Sequence, residues 1–431
     1  MKILIVSNSP WRKDNSFGNS FSNIFEGIED LEIANIYCKY GKPNVGFVKK
    51  FFQITEKSLI NNLLKGKPSG QEVLLEDFDD KSVIDGEKAF NIAKKHKSQL
   101  LYWLRTLIWK IGRWKSNQLI KFIDDFQPDL LFIPIYYSGY LHSINKFIKN
   151  RWNLPCVGYV SDDVYTLKQF SLSPLYWIDR LCMRPTMKKV FSWCKMVYVI
   201  SNIQKEEYTK IFGDKFKVLT KCADFYEEKK IAFKQPQDVL KLIYAGNISK
   251  GRFKILDSLV EEIKKLNEDG QKFQLDIYSL SPLSKRQKKK LNVEKCSRLH
   301  PSVPYEELLK LQAESDILIH AEAFILQERL AVHQSFSTKI VDYLMMNRCI
   351  MAIGDKRCSS INYFIENKNA AVVTAKKEIG TRLKELYTNR EMLQWFADKA
   401  WACGVEYHQR DKMQLMLVED LKNTVRIEQG K

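Results

Sequence analysis

The stretch Leu242-Ile243-Tyr244-Ala245-Gly246-Asn247-Ile248-Ser249-Lys250-Gly251-Arg252 reads as a short apolar strand, a glycine turn and a basic opening to a helix. Glycine lets a backbone approach a ligand closely, and the free N–H groups at a helix start attract an anion. Lys250 and Arg252 would add fixed positive charge beside it. An ordinary strand-to-helix turn with exposed cations looks the same in isolation, so the weight of this reading comes from its surroundings.

Apolar runs of the same kind recur through the chain: Ile3 to Val6, Leu130 to Ile135, Val157 to Val160, Met196 to Ile200, Leu275 to Tyr278, Ile317 to His320 and Cys349 to Ile353. Short runs without alternation are the mark of strands buried on both faces. Helical stretches separate many of them, and that alternation predicts an α/β protein of two doubly wound units with ligands near the strand carboxyl ends. A length of 431 residues is enough for two such cores. The weakest junction is the polar segment Phe225 to Gln237, so the units are expected at 1–228 and 238–405, with a final helix at 406–431 packing back towards the first. The stretch 42–121 shows no clear strand and reads as a helical insertion.

Further along, Ile317-Leu318-Ile319-His320-Ala321-Glu322 is a buried strand ending near two polar side chains, His320 and Glu322. It is followed by Gln334-Ser335-Phe336-Ser337-Thr338-Lys339-Ile340-Val341-Asp342, in which a hydroxyl-rich turn caps a helix. Small hydroxyl residues at a helix start suit phosphate. Asp342 lies about one turn beyond Thr338, on a similar face, where it reaches a sugar hydroxyl or serves as an ordinary surface carboxylate.

In order and spacing these two stretches resemble the donor domain of GT-B glycosyltransferases, especially the retaining family-four group of bacterial surface polysaccharide synthesis. The resemblance implies two Rossmann-like domains facing a central cleft, and a nucleotide sugar as co-substrate with no further cofactor and no metal. It implies that Gly246-Asn247 with Lys250 and Arg252 hold the donor diphosphate. The family's E-x7-E segment corresponds to Gln334 through Asp342, with both acids changed. Ser279, after Asp276-Ile277-Tyr278, is similar to the loop facing the nucleotide base, and Val303-Pro304 to the segment passing that base through its backbone. In the first domain Gly18-Asn19 resembles the glycine loop near the donor phosphates. Asp162, at the end of the strand closing on Val160, falls where relatives keep a residue beside the reaction centre. Capping of a helix by Asp162 or Asp163 is the simpler alternative.

Transfer requires that the leaving diphosphate be stabilised, and cations with helix-start N–H groups do this without a metal. Lys250, Arg252 and the turn at Ser337-Thr338 are the residues assigned to it. The acceptor implied is a saccharide, lipid-linked as in capsule or O-antigen assembly. A nucleotide-sugar epimerase and a non-catalytic scaffold of the same fold are the rival classes.

A net charge of +18 implies an anionic partner. Without RNP-type strands or zinc knuckles, nucleic-acid binding rests on charge alone, and none is expected. From Lys94 to Lys121 there are eight Lys or Arg and no acid, interleaved with Trp103, Trp109 and Trp114. A basic, Trp-bearing amphipathic helix suits an anionic membrane surface, although a core-facing helix with a basic edge has the same pattern. Lys285 to Lys290 reads as a solvated face. The nine cysteines lack C-x-x-C spacing, and no apolar run reaches the roughly 18 residues of a span. A cytoplasmic protein, peripheral at the inner face of the plasma membrane, is expected.

Overall fold

All of the apolar runs quoted above fall on strands of the computed structural model, which describes residues 1–74, 99–249, 251–428 and 430. The first sheet comprises β1 (Lys2–Ser7), β2 (Glu32–Tyr37), β3 (Lys50–Ile54), β4 (Gly70–Val73), β5 (Leu130–Pro134), β6 (Cys156–Val160), β7 (Cys194–Val199) and β8 (Phe216–Val218). Its order is β4-β3-β2-β1-β5-β6-β7-β8, parallel except where β4 runs against β3. The second comprises β9 (Leu240–Ala245), β10 (Phe273–Tyr278), β11 (Ser297–His300), β12 (Ile317–Ala321), β13 (Cys349–Ile353) and β14 (Ala371–Val373), in the order β11-β10-β9-β12-β13-β14.

Each sheet reverses its winding beside its first strand. β1 lies between β2 and β5, pairing Ile3 with Ile33 and Leu130; β9 lies between β10 and β12, pairing Leu242 with Leu275 and Ile317. Crevices open at the carboxyl ends of such strands, so the fold places candidate sites beyond Ser7 and beyond Ala245. Burial explains the composition. Leu240, Leu242, Leu275, Ile317, Ile319 and Met351 are enclosed between helices, one of which, Arg252–Leu266, turns Ile255, Leu256, Leu259 and Ile263 onto the sheet.

The stretch 42–121 departs from its expected all-helical character. It contributes β3 and β4 as well as the helices Glu56–Lys65, Gln99–Ile111 and Asn117–Phe126. β3 reads Lys-Phe-Phe-Gln-Ile and β4 Gly-Gln-Glu-Val, short and half polar because they form the border of the sheet, so no continuous apolar run announces them. Two of the three tryptophans there turn inward: Trp109 stacks on Tyr140 at 4.4 Å and Trp114 is buried, while Trp103 faces out.

The chain passes between the sheets after β8 and returns near His408, where Ala223 pairs with Gln409 and Arg410 meets Asp224 at 2.7 Å. The last helix, Arg410–Glu428, then lies on the first sheet, with Leu417 and Leu421 in its core and Asp420 accepting from the Tyr198 hydroxyl at 2.9 Å.

Candidate active site

At the carboxyl end of β9 the chain turns through Gly246, whose φ of 145° is open to glycine and strained for other residues. The missing side chain is also a matter of space: a Cβ there would lie 1.7 Å from Lys339 Nζ. The amine crosses above Gly246 and donates to the Ala245 carbonyl at 2.7 Å. Burial, with the Arg252 guanidinium nearby, pulls its pKa down to about 8. Beyond the turn the Asn247 side chain accepts from Ser249 N–H at 2.7 Å and the Ser281 hydroxyl at 3.2 Å. Gly251 then starts the helix Arg252–Leu266 without any side-chain cap; the first N–H groups turn back onto the loop instead, Phe253 donating to the Ile248 carbonyl at 3.0 Å and Lys254 to the Gly251 carbonyl at 3.2 Å.

These elements border a cavity of about 840 Å³ whose lining includes Gly246, Asn247, Lys254, Ser279, Val303 and Lys339. That is room for a ligand the size of a nucleotide. It lies where the winding of the second sheet reverses, with the half-buried Lys339 amine at one wall.

Solved structures share the arrangement along almost the entire chain. An Anabaena HepE in complex with UDP-glucose superposes with a TM-score of 0.61, covering 98% of this chain and 100% of its own, at 11% identity. WaaG, a glycosyltransferase involved in lipopolysaccharide biosynthesis, gives 0.55 at 10% identity and full coverage of both chains. An α,α-trehalose-phosphate synthase (UDP-forming) from Burkholderia vietnamiensis gives 0.60 at 8%, covering 98% of this chain and 100% of its own. No family model and no curated protein sequence matches. The chain has the GT-B fold.

Within this GT-B framework several expected residues take other positions. Arg252 is turned from the glycine turn into a buried pair: it donates to both Glu322 carboxylate oxygens at 3.0 and 2.9 Å and to the Ala321 carbonyl at 3.0 Å. A strand-end carboxylate one chain segment away neutralises the cation expected at the diphosphate. Glu322 is occupied by the same pair. His320, buried beside them with its pKa pushed down to about 3, is neutral, and its Nε2 lies 3.6 Å from Glu322, too far for a hydrogen bond. Lys250 lies outside the described residues.

In the Gln334–Asp342 segment only Lys339 lines the cavity. The Gln334 side-chain amide donates to Glu207 at 2.5 Å and the Gln334 backbone carbonyl accepts from the Ser201 hydroxyl at 2.8 Å, both in the first domain. The Phe336 ring packs between Tyr363 and His408, in a separate cavity of about 580 Å³ under the domain crossing. Neither hydroxyl caps the helix Lys339–Met345; Thr338 makes no side-chain cap, and Ser337 N–H donates instead to the Ser360 hydroxyl at 3.2 Å. The Ser335 N–H is taken up by the Val332 carbonyl at 3.0 Å. Asp342 is buried and accepts from Lys221 at 2.5 Å and the Tyr305 hydroxyl at 2.8 Å. Pro304 stands at the start of the helix Tyr305–Glu314, outside the cavity lining that includes Val303.

In the first domain Gly18 and Asn19 lie on the helix Ser16–Phe25, where a free loop was expected. Asn15 caps it by accepting from Gly18 N–H at 2.8 Å, and a Cβ at Gly18 would lie 2.0 Å from the Arg12 carbonyl, so this glycine admits backbone. Asn19 reaches only the Lys13 carbonyl, at 3.4 Å. Asp163 organises the loop after β6, accepting from Tyr165 and Thr166 N–H at 3.0 and 2.8 Å and pairing with Arg180 at 3.0 Å. Asp162, by contrast, is exposed, with its carbonyl accepting from Gln204 at 3.3 Å.

Lys221, Tyr305, Glu207 and Ser281 were not identified from sequence. Each sits in a loop or on a helix face with no periodic or motif signal, and each gains its place by a contact distant along the chain. Among the described residues, no group of three or more His, Cys, Asp or Glu is arranged to hold a metal.

Proposed function

We propose that this protein is a glycosyltransferase that binds a nucleotide sugar over β9 and β10 and transfers the sugar to a saccharide acceptor. The observation that carries the reading is the Lys339 amine crossing Gly246 into a cavity at the winding reversal of the second sheet. A diphosphate there would meet that amine and Lys254, which lines the same cavity, and such cations stabilise a leaving group without a metal. Lys339 thus takes the role assigned from sequence to Arg252. Likeness of fold to HepE bound to UDP-glucose and to WaaG supports the donor class.

Asp162, exposed beyond β6, is the carboxylate we assign to orienting the acceptor. Retention of configuration follows from the family resemblance, and the leaving phosphate then accepts the acceptor proton. The acceptor is a lipid-linked saccharide of capsule or O-antigen type, met at the inner face of the plasma membrane. The helix Gln99–Ile111 makes that contact, since Trp103, Leu104, Leu107 and Ile111 face outward along one stripe. No described helix is long and apolar enough to cross a membrane.

Thermal stabilisation by UDP, GDP, dTDP and CMP, measured on wild type and Lys339→Met, tests the donor site. A ligand at about a hundred times its Kd adds roughly 2.7 kcal/mol. Stabilisation by one nucleotide in wild type only is expected; no response to any would favour the non-catalytic scaffold.

A further inference from the structure

The loop that begins at Asp162 does not stay at the cleft. It runs through Leu167, Phe170 and Leu172, all exposed, Leu172 at 88%, and enters the helix Pro174–Trp193, whose Leu175, Ile178 and Leu181 also face outward at helical spacing. Nothing in the sequence pattern marked this segment, because its apolar residues are interrupted by Lys168, Gln169 and serines. It adjoins the outward stripe of the helix Gln99–Ile111: Trp103 Nε1 donates to Asp179 at 3.3 Å, next to Ile178. Two apolar stripes therefore meet in one face, a concentration that a solvated surface rarely carries.

Charge selects the occupant. Residues 99–123 and 164–193 together hold ten Lys or Arg, of which Arg105, Lys168 and Arg180 pair with Glu56, Glu207 and Asp163, and a single carboxylate of their own, Asp179, which is already bonded to Trp103 and the Tyr137 hydroxyl, so the face keeps an excess of positive charge. A second copy of the chain would bring like charge against like. An anionic bilayer supplies both an apolar interior for the leucines and phosphates for the cations. The face is also tied to the site, since buried Arg180 on this helix pairs with Asp163 at 3.0 Å and donates to the Thr166 carbonyl of the loop at 2.7 Å.

We propose that Leu167–Leu172 and the first turns of Pro174–Trp193 are a second membrane-seated leg beside Gln99–Ile111, so that the carboxyl end of β6, with Asp162, stands one loop away from the lipid surface. This rests on the membrane part of the proposed function and specifies how a lipid-linked acceptor comes to the exposed carboxylate.

The test is co-sedimentation of the full chain with vesicles of equal parts phosphatidylglycerol and phosphatidylcholine. Wild type, Phe170→Asp/Leu172→Asp and Leu104→Asp/Leu107→Asp are compared, with sedimentation velocity and nucleotide-induced thermal stabilisation run on each. Loss of a buried leucine contact is worth roughly tenfold in partitioning, so each double variant is expected to bind at least that much more weakly. Binding by Phe170→Asp/Leu172→Asp equal to wild type, while the other variant fails, overturns this leg and leaves the membrane contact of Gln99–Ile111 standing. Wild type that ignores the vesicles overturns both, and a wild-type dimer that both variants dissolve overturns the bilayer in favour of a second copy. The nucleotide response, expected unchanged in all three proteins, reports the donor site separately.

Discussion

Gly18 and Gly246 both follow the first strand of their sheet, Gly18 in the first turn of a helix after a loop and Gly246 directly at the strand end, yet they make room for different things. At Gly18 the vacant space is filled by the Arg12 backbone, 2.0 Å from where a Cβ would stand; at Gly246 it is filled by the tip of Lys339, at 1.7 Å. Backbone cannot withdraw, whereas a lysine tip can swing aside or turn to a ligand. One turn is closed on itself and structural. The other is held open by a movable cation, and it is the one that borders the large cavity. A glycine after a strand is thus evidence of close approach, and the partner decides whether the approach serves packing or binding.

The sharpest challenge to this comparison concerns Arg252, which sequence places at the phosphate and the structure places against Glu322. Arg252→Ala should lose about 3–5 kcal/mol of stability in urea denaturation, because it leaves a buried carboxylate unpaired, and Arg252→Ala/Glu322→Ala should lose less than the single variant. Equal losses would mean that the pair is not the resting partner of Arg252.

Gly18→Ala should cost about 1–3 kcal/mol by forcing the 10–14 loop to shift, with nucleotide stabilisation preserved in proportion to folded protein. Gly246→Ala should abolish nucleotide stabilisation by displacing the amine, with a smaller loss of midpoint than Gly18→Ala. The reverse order would break the distinction between the two turns.

The smallest effect is a pH dependence. Lys339, with a pKa lowered to about 8 by burial, carries its charge below that pH and loses it above. Nucleotide affinity by calorimetry should therefore fall as pH rises through 8, by at most about tenfold per pH unit. Lys339→Arg should remove the dependence, since a guanidinium stays charged.

Much of the architecture was legible because buried parallel strands must be apolar on both faces. The strands that escaped notice had reasons to. β2 carries Asn35, whose amide is satisfied by the Ile5 carbonyl at 3.0 Å and the Ser7 hydroxyl at 3.1 Å, so a polar residue sits inside a central strand. β11 reads Ser-Arg-Leu-His at a sheet edge and β14 has three residues, too few for a pattern. Of the residues lining the cavity, Gly246 and Asn247 could be named in advance from the local strand-turn-helix pattern and Lys339 from the hydroxyl-rich segment, whereas Ser279 and Val303 came from the family resemblance. The partners of Arg252, Gln334 and Asp342 could not be.

Local chemistry, then, was determined by sequence alone: which runs are buried strands, where glycine must replace a side chain, and where helices begin. These depend on burial, steric freedom and hydrogen-bonding capacity, properties a residue carries with it. Only the tertiary structure decided which of Arg252 and Lys339 faces the cavity. Arg252 and Lys339 are both positive and both close to the turn, but Glu322 captures the guanidinium and the Gly246 gap admits the amine. The Arg252–Glu322 charge pair joins groups 70 positions apart and the Lys339 amine meets the Gly246 gap across 93 positions, each over a few ångströms, and no linear reading contains that distance.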